Sequence, residues 1–303
     1  MNIAQLNVHY ALANELGFAA GQGDFPLIKI HNAHAQAVIC VYGAQVLSFK
    51  PHNTAVDWLF VSEQALYQSG KAIRGGIPVC WPWFGPDPEG KGRAAHGFAR
   101  TRLWSVLATS TQADGATKVS LGLQDTEETR QLWPYAFNLR LDITVGKTLQ
   151  LALTTRNTGT QTFTLTQALH TYFNVGDINQ TRVQGLDGAS YIDKAADGHG
   201  MTRQQQGAVT IAAEVDRVYL QVSPLLVLEA DALHRRIQLT NTGTDSAVIW
   251  NPWSKLAAAM ADLPDEAYQH FLCIETTNAG PNCIEVQARQ EHCLSVVYSD
   301  LNV

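Results

Sequence analysis

The chain lacks the sequence features of several protein classes, beginning with those built on cysteine. Its five cysteines (Cys40, Cys80, Cys273, Cys283 and Cys293) are widely spaced and contain no C-x-x-C motif. An odd, scattered set fits neither a disulfide framework nor a zinc knuckle, so we expect reduced thiols. The chain also lacks an apolar run of roughly 18 residues and a basic, apolar N-terminal leader. These absences predict a cytoplasmic protein with no membrane partner.

An excess of positive charge is missing as well. The sequence has 21 Lys and Arg against 27 Asp and Glu, a formal net charge of -6. This balance opposes binding to nucleic acid through the overall surface field, although it leaves room for a local basic pocket that binds one phosphate. Hydrophobic residues make up 46% of the chain and charged residues 16%. That composition is sufficient for a sizeable core.

Long amphipathic helices that alternate with strands are also absent, which argues against an α/β fold. Most of the chain shows the period of two that is typical of strands; Leu149, Leu151 and Leu153, for example, alternate with polar or small residues. We therefore expect an all-β protein, a large antiparallel β-sandwich with a few short helices, one of them over residues 3–16. No domain boundary is visible, so residues 1–303 are expected to form a single domain.

The tetrapeptide Asn-Thr-Gly-Thr occurs twice, at residues 157–160 and 241–244, each time between two predicted strands. Glycine supplies the positive φ that tight turns often need. The pattern predicts two related hairpins, and turn chemistry alone is sufficient to explain the repetition.

Residues 74–86, RGGIPVCWPWFGP, are too rich in glycine and proline for a helix or a central strand, so they predict a structured loop. Trp81, Trp83 and Phe84 could present flat faces to a sugar ring or simply close one end of the sandwich, and the second reading is favoured for each alone. The following GPDPEGKG resembles a phosphate-binding P-loop. Gly92 stands where that motif needs Ser or Thr, which excludes it.

Arg74, His96 and Arg100 are candidate ligands for an anionic substrate. His96 and Arg100 are four residues apart in HGFAR, so they would share one face if this segment enters a strand. Two guanidinium groups match the oxygens of a phosphate dianion and stay charged at physiological pH. Surface ion pairing is an equally good explanation for either arginine alone.

His170 stands apart from the apolar stripe of its predicted strand. Phe163, Leu165, Leu169 and Phe173 share one parity, whereas His170 has the other. This parity places His170 on a polar face, where an imidazole can act as an acid or base, although a lone histidine is more often structural.

Two carboxylates are further candidates. Glu275 ends an apolar run, where an ionised carboxylate is costly to bury unless it is hydrogen-bonded or functional. A position at the edge of the sheet is the alternative. Asp216 could pair with the adjacent Arg217, which its sequence context favours, or orient a histidine or a sugar hydroxyl.

Seven segments together resemble the glucose-6-phosphate 1-epimerase family, the hexose-phosphate branch of the aldose 1-epimerases. In order, and within residues 43–297, they are IRGGIPVCWPWFGP, HGFAR, DTEETRQLWPYAFNLRLDITV, ALHTYFNVGDI, VDRVY, WNPW and FLCIETTNA. Each is modest alone, and the resemblance depends on all seven occurring in the family's order. Ala95 departs from relatives that carry Gln before HGFAR.

The resemblance implies a galactose-mutarotase-like β-sandwich without metal or cofactor that interconverts the anomers of a hexose 6-phosphate. It implies that His170 is the general acid and Glu275 the general base. Arg74, Arg100, Asp216 and, more weakly, His96 are then the expected substrate ligands. The expected partner is a small sugar phosphate, and the protein is expected to be monomeric.

Three alternatives remain open at this point. The sandwich could bind carbohydrate without turning it over, because fold does not determine function. It could act on unphosphorylated aldoses. A glycoside hydrolase is the third alternative, but it would need a second carboxylate beside Glu275, and the sequence shows no obvious one.

Overall fold

The computed structural model describes residues 2–302, in which 22 strands, three short α-helices and five 3₁₀ segments follow one another. The α-helices are α1 (Ile3–Tyr10), α2 (Glu127–Leu132) and α3 (Trp253–Ala258). The 3₁₀ segments are Gln22–Asp24, Ala99–Thr101, Ile178–Gln180, Asp231–Leu233 and Ala267–Gln269. Within the described residues, no helix is long and apolar enough to cross a membrane.

The strands in the first half of the chain are β1 (Leu16–Ala20), β2 (Pro26–His31), β3 (Ala35–Cys40), β4 (Gln45–Pro51), β5 (Val79–Cys80), β6 (Ser105–Thr111), β7 (Thr117–Gln124), β8 (Phe137–Val145), β9 (Leu149–Asn157), β10 (Phe163–Leu165) and β11 (Gln167–Asn174). Those in the second half are β12 (Thr181–Gln184), β13 (Ser190–Asp193), β14 (Met201–Gln204), β15 (Val209–Thr210), β16 (Val215–Leu220), β17 (Leu225–Ala230), β18 (Arg235–Thr242), β19 (Ser246–Asn251), β20 (Phe271–Asn278), β21 (Ile284–Val286) and β22 (Glu291–Asp300).

Two large sheets form the sandwich. The nine-stranded sheet has the order β15-β12-β17-β18-β22-β9-β8-β7-β6, and the seven-stranded sheet has the order β14-β13-β16-β19-β20-β11-β5. Strands β1 to β4 form a four-stranded sheet, and β10 pairs with β21. All strand pairs in the two large sheets are antiparallel, which confirms the all-β antiparallel class.

The core lies between the two large sheets because each contributes every second side chain to it. Leu151 and Leu153 come from β9, and Leu169 and Phe173 come from β11. The period of two predicted for these strands is confirmed. His170 lies on the opposite face of β11, as its parity predicts, but loops cover that face and leave the residue only 7% exposed.

The N-terminal helix is shorter than the sequence indicates. It begins after Asn2, whose side chain accepts a hydrogen bond from the backbone N–H of Ala4 at 2.9 Å, and it ends at Tyr10. Asn14 adopts a left-handed φ of 59°, and β1 begins at Leu16. A turn and a strand therefore replace the last part of the predicted helix.

The two predicted Asn-Thr-Gly-Thr hairpins are wrong. Strand β9 pairs with β8 and β22, and β18 pairs with β17 and β22, so neither pairs with the strand that follows its turn. After residues 157–160 the chain passes through β10 to β11, and after residues 241–244 it enters β19. Both β11 and β19 belong to the seven-stranded sheet, so each segment carries the chain out of the nine-stranded sheet. Gly243 adopts the expected positive φ of 77° and Gly159 does not, and in both cases the partner strand is chosen by long-range packing.

Candidate active site

The register of two adjacent strands brings His170 and Glu275 together. In the antiparallel pair of β11 and β20, these residues lie directly opposite each other. The imidazole Nε2 of His170 is 3.4 Å from the carboxylate Oε1 of Glu275. Glu275 is only 2% exposed, so it does not occupy the edge position that we considered from sequence. An imidazole and a carboxyl group thus share one small volume on the outer face of the seven-stranded sheet.

This pair forms part of the lining of a cavity of about 520 Å³, a size typical of sites for small molecules. All six residues singled out from sequence line it: Arg74, His96, Arg100, His170, Asp216 and Glu275. Lys194, Trp250, Met260 and Phe84 complete much of the wall. The structure therefore gathers the predicted site residues from five separate parts of the chain.

The pair leaves polar atoms without partners. Nδ1 of His170 and Oε2 of Glu275 are buried, and neither finds a hydrogen bond within residues 2–302. Unpaired buried polar atoms are costly, and in native proteins they concentrate where a ligand or a reaction uses them. Their presence in a cavity supports a binding role for this face.

Burial shifts the two pKa values in opposite directions. It lowers the pKa of His170 well below its ordinary value, and the positive side chains Arg100 and Arg74 act in the same direction. It raises the pKa of Glu275 well above its ordinary value, and the nearby Asp216 carboxyl adds to the increase. Both directions favour a neutral pair in which one proton resides on Glu275 and none is added to His170.

The cations of the cavity are not equivalent. The Arg74 guanidinium pairs with Asp262, with Nη2 3.1 Å from Oδ2, and it also donates to the hydroxyl of Tyr172 at 3.1 Å. Arg100 and Lys194, in contrast, have no carboxylate within ion-pair distance in the part of the chain that the structure describes. The uncompensated positive charge of the cavity thus comes from Arg100 and Lys194.

His96 is held by the backbone of Gly85. Its own N–H donates to the Gly85 carbonyl at 2.8 Å, and the Gly85 N–H donates to its Nδ1 at 3.3 Å. A neutral ring that accepts at Nδ1 must carry its proton on Nε2. Burial lowers the pKa of His96 to about 3, and the neighbouring Arg100, Lys194 and Arg74 contribute to this decrease. His96 is therefore a neutral N–H donor at the cavity wall.

Asp216 lines the cavity and does not pair with Arg217, so the pairing that its sequence context favoured is wrong. Adjacent residues of a strand face opposite sides of the sheet. The Arg217 guanidinium lies over the ring of Tyr191 at 4.9 Å and donates to Gln205. Burial raises the pKa of Asp216.

The aromatic residues of the 74–86 segment divide between core and site. Trp81 and Trp83 are buried in the core, where Trp81 Nε1 donates to Thr155 at 2.9 Å. Phe84 lines the cavity and lies edge-on to His96, with ring centroids 5.0 Å apart. The segment is mostly loop, as expected, but Val79–Cys80 forms β5 and pairs with β11.

Lys194, Trp250 and Met260 were not singled out from sequence. Trp250 belongs to the WNPW segment, and its ring packs edge-to-face with the His170 ring, with centroids 6.0 Å apart. Lys194 lies just after β13, and its backbone N–H donates to the carbonyl of Asp216 at 2.7 Å. A single lysine in a polar loop has no sequence signal that marks it as a site residue.

A second groove of about 540 Å³ crosses the outer face of the nine-stranded sheet, lined among others by Leu103, Leu107, Arg140, Arg156 and Glu291. It has no histidine and no facing acid and base in its lining. No group of three His, Cys, Asp or Glu side chains within residues 2–302 is arranged to hold a metal ion. The facing histidine and glutamate, His170 and Glu275, lie in the cavity of about 520 Å³ described above.

Fold and cavity together define a class: a two-sheet antiparallel sandwich with a facing histidine and glutamate in a sugar-sized cavity. The chain matches the family model described as aldose 1-epimerase over residues 26–299, and it belongs to that family. The protein is accordingly an epimerase, an enzyme of the isomerase class.

Curated relatives agree with this assignment. The chain is 38% identical over 256 residues to an Escherichia coli K12 protein named as a candidate glucose-6-phosphate 1-epimerase, with 84% of each chain covered. It is 38% identical over 247 residues to a protein of Cenchrus ciliaris named in the same way, with 79% of this chain and 74% of the relative covered.

Solved structures give the same fold. The crystal structure of the candidate mutarotase YeaD from Salmonella typhimurium superposes with a TM-score of 0.88 at 32% identity, and 98% of each chain is covered. A galactose mutarotase related enzyme from Lactobacillus acidophilus gives a TM-score of 0.70 at 16% identity, covering 90% of this chain and 97% of the other. The protein has the galactose-mutarotase-like fold.

Proposed function

We propose that this epimerase interconverts the α and β anomers of an aldohexose 6-phosphate, with glucose 6-phosphate as the first substrate to test. The observation that carries the proposal is the facing pair of His170 and Glu275 in a cavity with the uncompensated cations Arg100 and Lys194. The names of the E. coli and Cenchrus relatives support the choice of substrate.

Exchange of anomers needs one proton acceptor and one proton donor. Glu275 removes the proton of the C1 hydroxyl while His170, protonated, donates to the ring oxygen, and the bond between C1 and that oxygen breaks. The aldehyde rotates about the C1–C2 bond. Both proton transfers then reverse on the other face, which yields the second anomer and restores the pair. A positioned donor or acceptor typically accelerates such a step by about 10² to 10⁴.

The pair carries one proton in each of its two states, because Glu275 gains a proton from the C1 hydroxyl while His170 gives one to the ring oxygen. Ring opening converts a carboxylate and an imidazolium into a carboxyl group and a neutral imidazole, without a change in the number of protons. Burial favours the neutral form, as the opposite pKa shifts of Glu275 and His170 indicate. The environment therefore disfavours the charged pair from which the ring opens, and proton transfer to and from the sugar returns the pair to the neutral form that the unliganded site favours.

The phosphate is assigned mainly to Arg100 and Lys194. From sequence, Arg74 and Arg100 were the expected clamp, but the charge of Arg74 is already matched by Asp262. A dianion gains most from cations whose charge no carboxylate already matches. Arg74 remains a wall residue that a sugar can contact, and His96 and Asp216 remain proposed ligands of sugar oxygens.

Two alternative functions are less well supported. A binding module without catalysis would not need two buried polar groups that face each other with unsatisfied atoms. A glycoside hydrolase needs two carboxylates, and Asp216 does share the cavity with Glu275. Membership of the aldose 1-epimerase family, rather than the number of carboxylates, argues against the hydrolase.

We also infer that the chain forms one domain and acts as a cytoplasmic monomer. One continuous hydrophobic cluster extends from Leu6 to Tyr298, which supports a single domain. The reduced cysteines expected from sequence support the compartment. Light scattering after size-exclusion chromatography should give the mass of one chain, and a dimer mass would contradict the monomer.

The function is tested by NMR exchange spectroscopy on the anomers of glucose 6-phosphate and of glucose, with the uncatalysed rate subtracted. Enzyme should accelerate exchange of the phosphate ester selectively. His170→Ala and Glu275→Gln should each reduce kcat by about 10² to 10⁴. His9→Ala and Glu285→Gln, which alter exposed residues outside the cavity lining, are the matched controls. Rates near wild type in either site variant would exclude the assigned roles.

A further inference from the structure

The orientation of the His170 ring lacks the usual support. Catalytic imidazoles are commonly oriented by a hydrogen bond at the nitrogen that does not take part in the reaction. Here Nε2 faces Glu275, and Nδ1 is buried without a hydrogen-bond partner among residues 2–302. Side-chain packing must therefore supply the orientation that a hydrogen bond supplies elsewhere.

Tyr172 provides the broadest contact with this ring. It lies two residues further along β11, on the same face, and its ring stacks on that of His170 with centroids 4.9 Å apart and planes at 10°. Trp250 and His96 make only edge-to-face contacts with the imidazole, with ring centroids 6.0 and 5.9 Å from its own. The plane of the imidazole thus follows the plane of the Tyr172 ring.

The Tyr172 ring is in turn held at its hydroxyl. Arg74 donates to that oxygen from Nη1 at 3.1 Å. The other side of the guanidinium donates to Oδ2 of Asp262, from Nη2 at 3.1 Å and from Nε at 3.2 Å. Asp262 therefore directs Arg74 toward Tyr172.

Asp262 is itself fixed by the loop that carries Arg74. The hydroxyl of Ser62 donates to the Asp262 carbonyl at 2.7 Å, and the Ser62 N–H donates to the Arg74 carbonyl at 3.0 Å. A continuous series of contacts thus extends from two loops to the imidazole. Such supporting contacts determine how tightly a reacting group is held.

We propose that Tyr172 and Asp262 are positioning residues for anomer exchange: they hold Arg74 between them, and Tyr172 keeps the His170 imidazole aligned with Glu275. The proposal rests on the proposed function of that pair. It gives Arg74 a role that does not depend on a phosphate, so loss of the support should affect phosphorylated and free sugars alike.

Kinetics of Tyr172→Phe and Asp262→Asn test this proposal. Each variant should lower kcat about 10-fold or more on both glucose 6-phosphate and glucose, with little change in KM, because the imidazole loses alignment rather than contact with substrate. The double variant should be no slower than the slower single variant, since both act through Arg74. Asp262→Glu, which keeps the carboxylate, should recover part of kcat.

The matched controls are Tyr135→Phe and Asp142→Asn, which make the same chemical changes outside the cavity lining. Both should retain wild-type kcat and KM. Unchanged kcat in both test variants overturns the proposal. So does a loss confined to KM for the phosphate ester, which would make Arg74 a phosphate ligand only, and so does a strictly additive loss in the double variant.

A readout independent of turnover separates this proposal from the proposed function. In ¹³C-labelled protein, the His170 ring signal, assigned by its absence in His170→Ala, should be single and sharp. It should broaden or split in Tyr172→Phe and Asp262→Asn and stay unchanged in the controls. An unchanged signal in both variants overturns the positioning role, whereas absence of wild-type exchange of glucose 6-phosphate overturns the proposed function. If Asp262→Asn fails to fold, as judged by circular dichroism, Tyr172→Phe decides the question.

Discussion

His96 shows how backbone contacts determine the chemistry of one side chain. The residue has a left-handed φ of 65°, which turns the chain so that its ring nitrogen meets the Gly85 N–H. This contact selects the tautomer with the proton on Nε2, and burial among cations keeps the ring neutral. A neutral N–H can donate to a sugar oxygen at any working pH, but it is unsuited to act as the proton carrier.

Replacement of His96 should reduce the loss of stability in mild acid. The unfolded ring gains a proton below its ordinary pKa of 6.5, whereas the folded ring stays neutral until about pH 3. The unfolded state therefore binds more protons in this range, and the free energy of unfolding falls as the pH falls. From pH 7 to pH 5 this residue should account for about 2 kcal/mol.

His96→Asn removes the titrating group, and asparagine tolerates the left-handed backbone. Urea unfolding at the two pH values should show a correspondingly smaller decrease for the variant than for wild type. Equal decreases would contradict the neutral, buried state of His96. His9→Asn, at an exposed position, is the control.

Selectivity for the phosphate should depend on two side chains. Arg100→Ala and Lys194→Ala should each raise KM for glucose 6-phosphate about 10-fold to 100-fold, because each removes a charge-assisted hydrogen bond. KM for glucose should change by less than about twofold. Arg102→Ala, which breaks the surface pair with Glu128, is the control. Equal increases in KM for glucose 6-phosphate and for glucose would exclude a role of these side chains in binding the phosphate.

At the scale of elements, one face of β11 and β20 packs in the core and the other lines the cavity. Leu169, Phe173, Leu272 and Ile274 pack into the core, and His170 and Glu275 look outward into the cavity. Pairing on both sides of β20, with β11 and β19, keeps the outward face in register. The sheet thus carries the proposed acid and base, and loops supply the remaining walls.

The loop that carries His96 and Arg100 is fixed by close backbone contact. Gly97 has a φ of +69°, and a methyl group added to it would overlap the backbone of Trp81. Gly97→Ala should therefore destabilise the protein by about 3 kcal/mol. Gly92→Ala is the matched control, because its φ of +76° is similar but nothing lies within 4 Å, and it should cost about 1 kcal/mol.

Urea unfolding of both glycine variants at neutral pH measures this difference. Gly97→Ala should also impair exchange of glucose 6-phosphate, since displacement of the loop moves His96 and Arg100. Equal stability of the two variants would show that the contact with Trp81 is not restrictive.

At the scale of the whole molecule, the positive charge at the cavity is opposite in sign to the net charge of the protein. The formal net charge is -6, but Arg100 and Lys194 place unpaired positive charge at the cavity. An anionic substrate is repelled by the distant surface and attracted by the site. Salt screens such interactions over about 10 Å at 0.1 M, so both effects depend on ionic strength.

Higher salt should weaken recognition of the sugar phosphate. An increase from about 0.05 M to about 0.5 M potassium chloride should raise KM for glucose 6-phosphate several-fold, because local attraction outweighs distant repulsion. KM for glucose should stay nearly constant, and this sugar is the internal control. A decrease in KM for the ester would show that repulsion by the surface dominates.

The sequence by itself determined the elements and the candidate residues. Alternation along β9 and β11 predicted strands with one apolar face, and the parity of His170 separated it from Leu169 and Phe173. Motif resemblance named six residues that the fold gathers around one cavity. The strand and parity predictions succeeded because side-chain direction in a strand follows position along the chain.

Only the tertiary structure decided which strands pair, what each charge meets and how deeply each group is buried. It turned both predicted Asn-Thr-Gly-Thr hairpins into crossovers between sheets, paired Arg74 with Asp262, and brought Lys194 into the site. Asp262 is 188 residues from Arg74 along the chain. Contacts at such separation depend on packing of the whole chain, and so do the pKa shifts of His170 and Glu275, because burial is a property of the folded protein.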